Sequence, residues 1–271
     1  MDALRQVEDW PVEQAAVIVS TGSDTAAHGD TNRRFEWASV TKLLTALAVL
    51  VAAEEGTVEL DEAAGPTGST VRHLLAHASG RPLDDGPPIA DPGTRRIYSN
   101  AGYEQLAELV AQRAEIPFAR YLDEAVSRPL GVVGQLDGSP ASGFRGTIVD
   151  VGRLAGFLLR GEPAILAPET VREATAVQFP GLVGVLPGYG RQEPNDWGLG
   201  FEVRDAKRPH WTGGRNSPRT FGHFGQSGSF LWVDPDAGVA CGCLTDTRFG
   251  DWAKEAWPRL SDAVLAEYRR G

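Results

Sequence analysis

The densest apolar segment of the chain, Leu43-Leu44-Thr45-Ala46-Leu47-Ala48-Val49-Leu50-Val51, is apolar around nearly its whole helical circumference and is followed by Gly56. This pattern predicts a buried helix closed by the glycine. Toward the N-terminus, Ala15 to Ser20 reads as a strand, Thr21-Gly22-Ser23-Asp24 as a turn and Thr25 to His28 as a returning strand. From Asp61 to about Pro180 helical spacing dominates. Helices are predicted over Val71 to Ala76, Asn100 to Ala114, Pro117 to Ser127, Val149 to Arg160 and Thr170 to Gln178, with Gly and Pro at the interruptions. Phe179 to Asp196, rich in both, reads as a long irregular loop of the kind that often borders a site.

After that loop the texture returns to strands. Gly200 to Arg204, Ser229 to Val233 and Gly238 to Leu244 are predicted, the last two joined as a hairpin through Asp234-Pro235-Asp236-Ala237-Gly238. Trp252 to Tyr268 closes the pattern as an amphipathic helix that tolerates Pro258. The fold class is therefore α/β of the α+β type: one antiparallel sheet from the N- and C-terminal segments, flanked by helices, with an inserted mainly helical lobe. The expected division is a sheet-containing lobe of residues 1–60 and 195–271 and a helical lobe of residues 61–194. An active site is expected at the seam.

Composition narrows the classes. The 271 residues are 42% hydrophobic and 23% charged, as in ordinary globular proteins. A net charge of −10, without a Lys/Arg cluster along the sequence, argues against nucleic-acid and anionic-membrane partners. Met1 to Trp10 has no apolar core of a secretory signal, and the longest apolar run, Leu43 to Ala53, is too short to span a bilayer. These features predict a cytoplasmic protein. Cys241 and Cys243, two apart on one strand, are spaced poorly for a disulfide and are expected to be small buried thiols.

The chemistry centres on Ala38-Ser39-Val40-Thr41-Lys42, directly before the apolar helix. Ser39 opens that helix and Lys42 lies one turn on, on the same face. The arrangement is an S-x-x-K nucleophile, a serine at a helix end beside an amine that could take its proton. An ordinary lysine is only about 0.04% neutral at pH 7, so Lys42 acts as a base only if burial or a nearby cation lowers its pKa. Tyr98-Ser99-Asn100, before a predicted helix, offers a phenol and an amide. Gly222-His223-Phe224-Gly225-Gln226-Ser227-Gly228 offers a Gly-rich strand edge where a backbone N–H could meet an oxyanion.

In order and spacing, Ser39-x-x-Lys42, Tyr98-x-Asn100 and His223-x-Gly225 resemble the serine beta-lactamase and penicillin-binding-protein superfamily, in particular class C beta-lactamases and their esterase and D-aminopeptidase relatives. Val71 to Gly80, Pro92-Gly93, Arg128-Pro129-Leu130-Gly131 and Trp197-Gly198-Leu199-Gly200-Phe201 support the resemblance, which runs from about Val17 to the C-terminus. It implies an acyl-enzyme mechanism with no metal and no other cofactor. Ser39 would be the nucleophile, Lys42 and Tyr98 would share the proton transfers, and Asn100 would orient Lys42 and the substrate. The oxyanion would meet the N–H groups of Ser39 and Gln226, with His223 and Gly225 lining the strand beside the substrate.

The third motif departs from the superfamily. Beta-lactamases and penicillin-binding proteins usually carry Lys-Thr-Gly there, and His223-Phe224-Gly225 supplies neither the ammonium nor the hydroxyl that holds a substrate carboxylate. The expected activity is therefore hydrolysis of a small ester or amide by an esterase-like enzyme. The alternatives are a true class C-like beta-lactamase, a D-amino-acid peptidase, or a catalytically silent sensor or scaffold of the same fold. If His223 did contact a substrate carboxylate, that binding should strengthen as pH falls through about 6.5. The implied partner is a small ester, amide or beta-lactam, and the sequence does not indicate an oligomeric state. Other enzyme classes fit less well. Gly225-Gln226-Ser227-Gly228-Ser229 lacks the last glycine of G-x-S-x-G, and His73 and His77 lack the glutamate of H-E-x-x-H.

Overall fold

The computed structural model describes residues 2–162 and 165–268. The strands are β1 (Ala15–Thr21), β2 (Thr25–Gly29), β3 (Phe35–Glu36), β4 (Gln135–Leu136), β5 (Phe144–Gly146), β6 (Gly184–Leu186), β7 (Gly190–Gln192), β8 (Glu202–Val203), β9 (Phe221–Gly225), β10 (Ser229–Asp234) and β11 (Val239–Thr245). The α-helices are α1 (Thr41–Glu54), α2 (Val71–Leu75), α3 (Asn100–Ala114), α4 (Phe118–Leu122), α5 (Arg128–Leu130), α6 (Ile148–Arg160), α7 (Pro168–Thr175) and α8 (Asp251–Tyr268).

A six-stranded antiparallel sheet in the order β2-β1-β11-β10-β9-β8 unites the two ends of the chain. Strand β1 pairs with β11 from Ala15 opposite Thr245 to Thr21 opposite Val239. Both faces of the central strands are buried, which is why their sequences run apolar instead of alternating with polar residues. The period-2 alternation instead sorts side chains between two cores. Ala16, Ile18, Leu231 and Leu244 join the core built around α1 and α6, whereas Val17, Phe230, Trp232, Cys241 and Cys243 pack with Trp257 and Leu260 of α8. Both cysteines are buried and free.

Helix α1 lies inside the larger core, with every residue from Thr41 to Ala52 buried. An amphipathic helix would expose a polar face; this one has none to expose. Among the described residues no helix is long and apolar enough to cross a membrane.

The structure corrects several boundaries. The helix predicted over Pro117 to Ser127 divides into α4, a π-type turn over Asp123–Ser127, and α5. Helix α7 starts earlier than predicted because Pro168 suits a first turn, where its missing N–H costs nothing. The loop from Phe179 to Asp196 is not wholly irregular: β6 and β7 form a hairpin within it. The three-stranded sheet β3-β5-β4 was not anticipated, because strands of two or three residues carry too little periodicity to read.

Candidate active site

Ser39 stands on a short turn, Ala38–Val40, that leads directly into α1. This turn is fixed from several sides. Trp37 N–H donates to the Phe144 carbonyl at 2.9 Å, and Ser229 Oγ donates to the Trp37 carbonyl at 2.7 Å. Ser227 Oγ donates to the Glu36 carbonyl at 2.7 Å. Ala38 has a φ of +44°, a left-handed conformation that costs a non-glycine residue about 1–2 kcal/mol and is held by these contacts. Strand β9 reaches the turn only because residue 225 is glycine. A Cβ there would lie 2.5 Å from the Trp37 carbonyl oxygen and 3.0 Å from Ala38 Cβ. The glycine of His223-x-Gly225 thus has a steric reason.

One turn into α1, Lys42 is fully buried. Its Nζ lies 2.7 Å from Asn100 Oδ1, 2.9 Å from the Ala141 carbonyl and 3.5 Å from Ser39 Oγ, and 4.8 Å over the Tyr98 ring. All three polar neighbours accept. Burial lowers its pKa from the usual lysine range to about 7, with Glu104 and Asp84 opposing the shift. Near neutrality the amine is therefore neutral in about half of the molecules, roughly a thousandfold more than an exposed lysine. When neutral, its two N–H bonds serve Asn100 and Ala141, the shorter contacts, and its lone pair faces Ser39.

Tyr98 and Asn100 flank the start of α3, which Ser99 caps by accepting from Gly102 N–H at 3.0 Å. Asn100 donates from Nδ2 to Asp84 Oδ1 at 3.3 Å, so its amide is oriented with the oxygen toward Lys42. Burial raises the Tyr98 pKa well above the usual phenol value, although hydrogen bonding with Ser39 opposes this, and the group remains a phenol at neutral pH. Tyr98 Oη lies 3.5 Å from His223 Nε2. His223 Nδ1 is 2.6 Å from the Phe224 carbonyl, which only accepts, so Nδ1 carries the proton and Nε2 presents a lone pair to Tyr98. Burial, together with Lys42, lowers the His223 pKa to about 3. At neutral pH it is an uncharged imidazole.

The structure therefore brings Ser39, Lys42, Tyr98, Asn100 and His223 together, with Gly225 against the turn that carries Ser39. Gln226 follows the end of β9, and its N–H has no acceptor among the described residues. His73 and His77 serve different ends. His73 stacks on Phe179 at 4.3 Å, and His77 packs between Tyr98 at 4.6 Å and Trp197 at 4.7 Å while accepting from Ser99 N–H.

A cavity of about 210 Å³ opens at Ser39, lined mainly by Leu83, Leu186, Pro187, Trp197 and Phe224, with Glu202 on one wall. It is smaller than the roughly 300–1,000 Å³ of sites for drug-sized ligands, and suits a small acyl group. Sequence reasoning missed three supports. The first is the Ala141 carbonyl beside Lys42. The second is buried Arg96, which donates to the carbonyls of Ala76, Gln178, Phe179 and Asn195 and so pins the loop carrying Leu186 and Pro187. The third is an ionic cluster behind the cavity, in which Glu202 accepts from Lys207, from His210 at 2.9 Å and from Trp211 at 3.0 Å. None of the three was signalled by a motif, whereas Trp197 and Phe224 of the cavity wall lay within stretches the sequence had singled out.

The sequence model of the beta-lactamase family matches residues 12–134 and 132–265. A beta-lactamase from Mycobacterium bovis, known from a crystal structure, is 56% identical and superposes with a TM-score of 0.97, covering 99% of this chain and 100% of its own. A hydrolase with promiscuous acyltransferase activity is 18% identical, with a TM-score of 0.80 over 97% of each chain, and shares the fold. Penicillin-binding protein 4* of Bacillus subtilis is 25% identical over 135 residues. That match spans 38% of this chain and 30% of the length of the Bacillus protein.

Proposed function

The chain belongs to the beta-lactamase family, and we propose that it is a serine hydrolase that cleaves a small ester or amide through an acyl-enzyme at Ser39. The observation that carries this reading is Lys42. A lysine buried in full, bonded to two acceptors, shifted to a pKa of about 7 and aimed at a serine hydroxyl is costly to hold in a scaffold without chemistry. A silent sensor or scaffold has no use for that arrangement.

The proposed steps follow from the protonation states. Neutral Lys42 takes the Ser39 Oγ proton as Oγ bonds to the substrate carbonyl carbon. The oxyanion so formed is met by the N–H groups of Ser39 and Gln226. As the carbon–leaving-group bond breaks, Tyr98, a phenol, gives its proton to the departing oxygen or nitrogen and is restored from the Lys42 ammonium. Water then attacks the acyl carbon as its proton passes to Lys42; the bond from that carbon to Ser39 Oγ breaks, Lys42 returns the proton to Oγ, and the acid leaves as product. His223 Nε2 accepts from Tyr98 and holds the phenol in place.

Beta-lactam hydrolysis is the second reading, favoured by the 56% identical Mycobacterium bovis beta-lactamase. Against it stands His223, uncharged and turned to Tyr98, where an ammonium would meet a substrate carboxylate. The discriminating experiment compares kcat/KM for a short-chain p-nitrophenyl ester and a chromogenic cephalosporin, with Ser39→Ala as control. The expected result is an ester preference that is lost in the control. A cephalosporin preference would overturn the esterase reading.

The pH dependence separates the groups further. Activity on the neutral ester should rise as pH increases through about 7, where Lys42 loses its proton, and level off above it. His223, with a pKa of about 3, stays neutral from pH 5 to 8, so affinity for carboxylated substrates should not strengthen as pH falls through that range. Strengthening near pH 6.5 would place a charged His223 on the carboxylate. That expectation was drawn from an unperturbed histidine, and the burial of His223 removes its basis.

A further inference from the structure

Four arginines from three separate stretches, Arg33, Arg34, Arg145 and Arg248, line one cleft of about 270 Å³ beside the proposed active site. In a chain of net charge −10 this is a local excess of positive charge. The carboxylates in the cleft, Glu36 and Asp246, lie 3.4 Å from Arg145 and 3.5 Å from Arg33. Arg34 donates only to the Val133 carbonyl, at 3.3 Å, and the Arg248 guanidinium has no hydrogen bond or ion pair among the described residues. Two of the four cations are thus without a counter-charge, although guanidinium groups are shaped to take paired oxygens.

The cleft adjoins the reaction cavity through two chain segments. Gln226 lines the cavity while its neighbour Ser227 lines the cleft. Glu36 lines the cleft, and the turn bearing Ser39 begins two residues later. A substrate spanning both would place its acyl group in the apolar cavity, with its carbonyl at Ser39, and pass its other substituent over the Gln226-Ser227 turn to the arginines.

We propose that this cleft is an anion subsite of the active site that takes a phosphate monoester carried on the leaving group of the substrate. Two uncompensated cations match the charge of a phosphate, about −1.5 to −2 at pH 7, better than that of a single carboxylate. The proposal rests on the reading of Ser39 as the acylated nucleophile, and its test keeps the two apart.

The kinetic arm compares 4-acetoxyphenyl phosphate with neutral 4-methoxyphenyl acetate. The full-length enzyme should prefer the phosphate ester by about tenfold or more in kcat/KM at low ionic strength, the scale of one charge-assisted contact. That preference should collapse in Arg34→Gln/Arg248→Gln, recover in part in Arg248→Lys, and shrink in roughly 0.5 M NaCl. The binding arm titrates inorganic phosphate into wild type and Ser39→Ala by calorimetry, with equal binding expected in both. Phosphate should also raise KM for the phosphate ester without changing kcat.

No preference, or a preference indifferent to the arginines, overturns the subsite while leaving the hydrolase intact. Arginine-dependent phosphate binding that does not compete with the phosphate ester makes the cleft a separate site for free anions, and overturns the proposal equally. Arginine-dependent binding without acylation of Ser39 would remove the hydrolase reading instead.

Discussion

Replacing Lys42 with arginine lowers kcat on a short-chain ester by about a thousandfold, within the range for loss of a positioned general base. The substitution keeps a cation near Asn100 Oδ1 and the Ala141 carbonyl, the two short acceptors of the native lysine. It removes the one property the chemistry needs. A guanidinium does not give up a proton at working pH, whereas Lys42 is brought to about 7 by its burial. Arginine is also larger, and the site offers no exposed volume, so the variant must be shown to fold by circular dichroism and its melting temperature. Lys42→Met, close to lysine in shape and uncharged, supplies a second test with less crowding. If either folded variant keeps activity within tenfold of wild type, Lys42 is not the base.

Lys207→Met should lower stability by about 3–5 kcal/mol, the usual cost of stripping one partner from a buried ion pair, and Tm by on the order of ten degrees. Lys207 Nζ is buried against Glu202 and donates as well to the Asp196 carbonyl at 2.7 Å and to the Val203 carbonyl. Burial alone would raise the Glu202 pKa, but His210 and Lys207 hold it well below the usual carboxylate range, so the group is ionised in the fold. Without Lys207 that charge keeps only His210 and Trp211 as partners. Burial pushes the His210 pKa down, while its contact with Glu202 opposes that shift. The double variant Glu202→Gln/Lys207→Met removes both charges and should recover much of the loss. Because Glu202 shares the cavity wall with Trp197 and His223, KM for the ester should shift as well. Melting within about two degrees of wild type, against a scale of 2–4 °C per kcal/mol, would show that the pair carries little stability.

Much of this fold could be read from the sequence because it is written in long periodic segments. The buried α1, the capped start of α3 and the hairpin of β10 and β11 all lie where apolar spacing and turn residues placed them. The first two residues of the proposed site were legible for a related reason. Ser39 and Lys42 are one helical turn apart, so their meeting is local geometry. Tyr98, Asn100 and His223 could be named as candidates from their own residue types, but they were joined to Ser39 only through the resemblance, since nothing in their own neighbourhoods says which loop faces which strand.

What stayed hidden is what depends on distant contacts. The Ala141 carbonyl that accepts from Lys42 is 99 residues away and carries no side-chain signal. The charge state of His223 follows from its burial and from the Phe224 carbonyl, which no spacing reveals. The arginine cleft is assembled from three separate stretches, so the chain shows no basic cluster until it folds. The short strands β3, β4 and β5 escaped for want of length.

The central claim is that Ser39 carries the acyl group during turnover. Its most direct test is to mix the enzyme with a slowly hydrolysed ester, quench in acid within the first turnovers and map the mass of each peptide. The account predicts a single acyl adduct on the peptide containing Ser39, absent in Ser39→Ala and formed far more slowly in Lys42→Arg. Turnover with no adduct at any time, or an adduct on another residue such as Ser227, would contradict it.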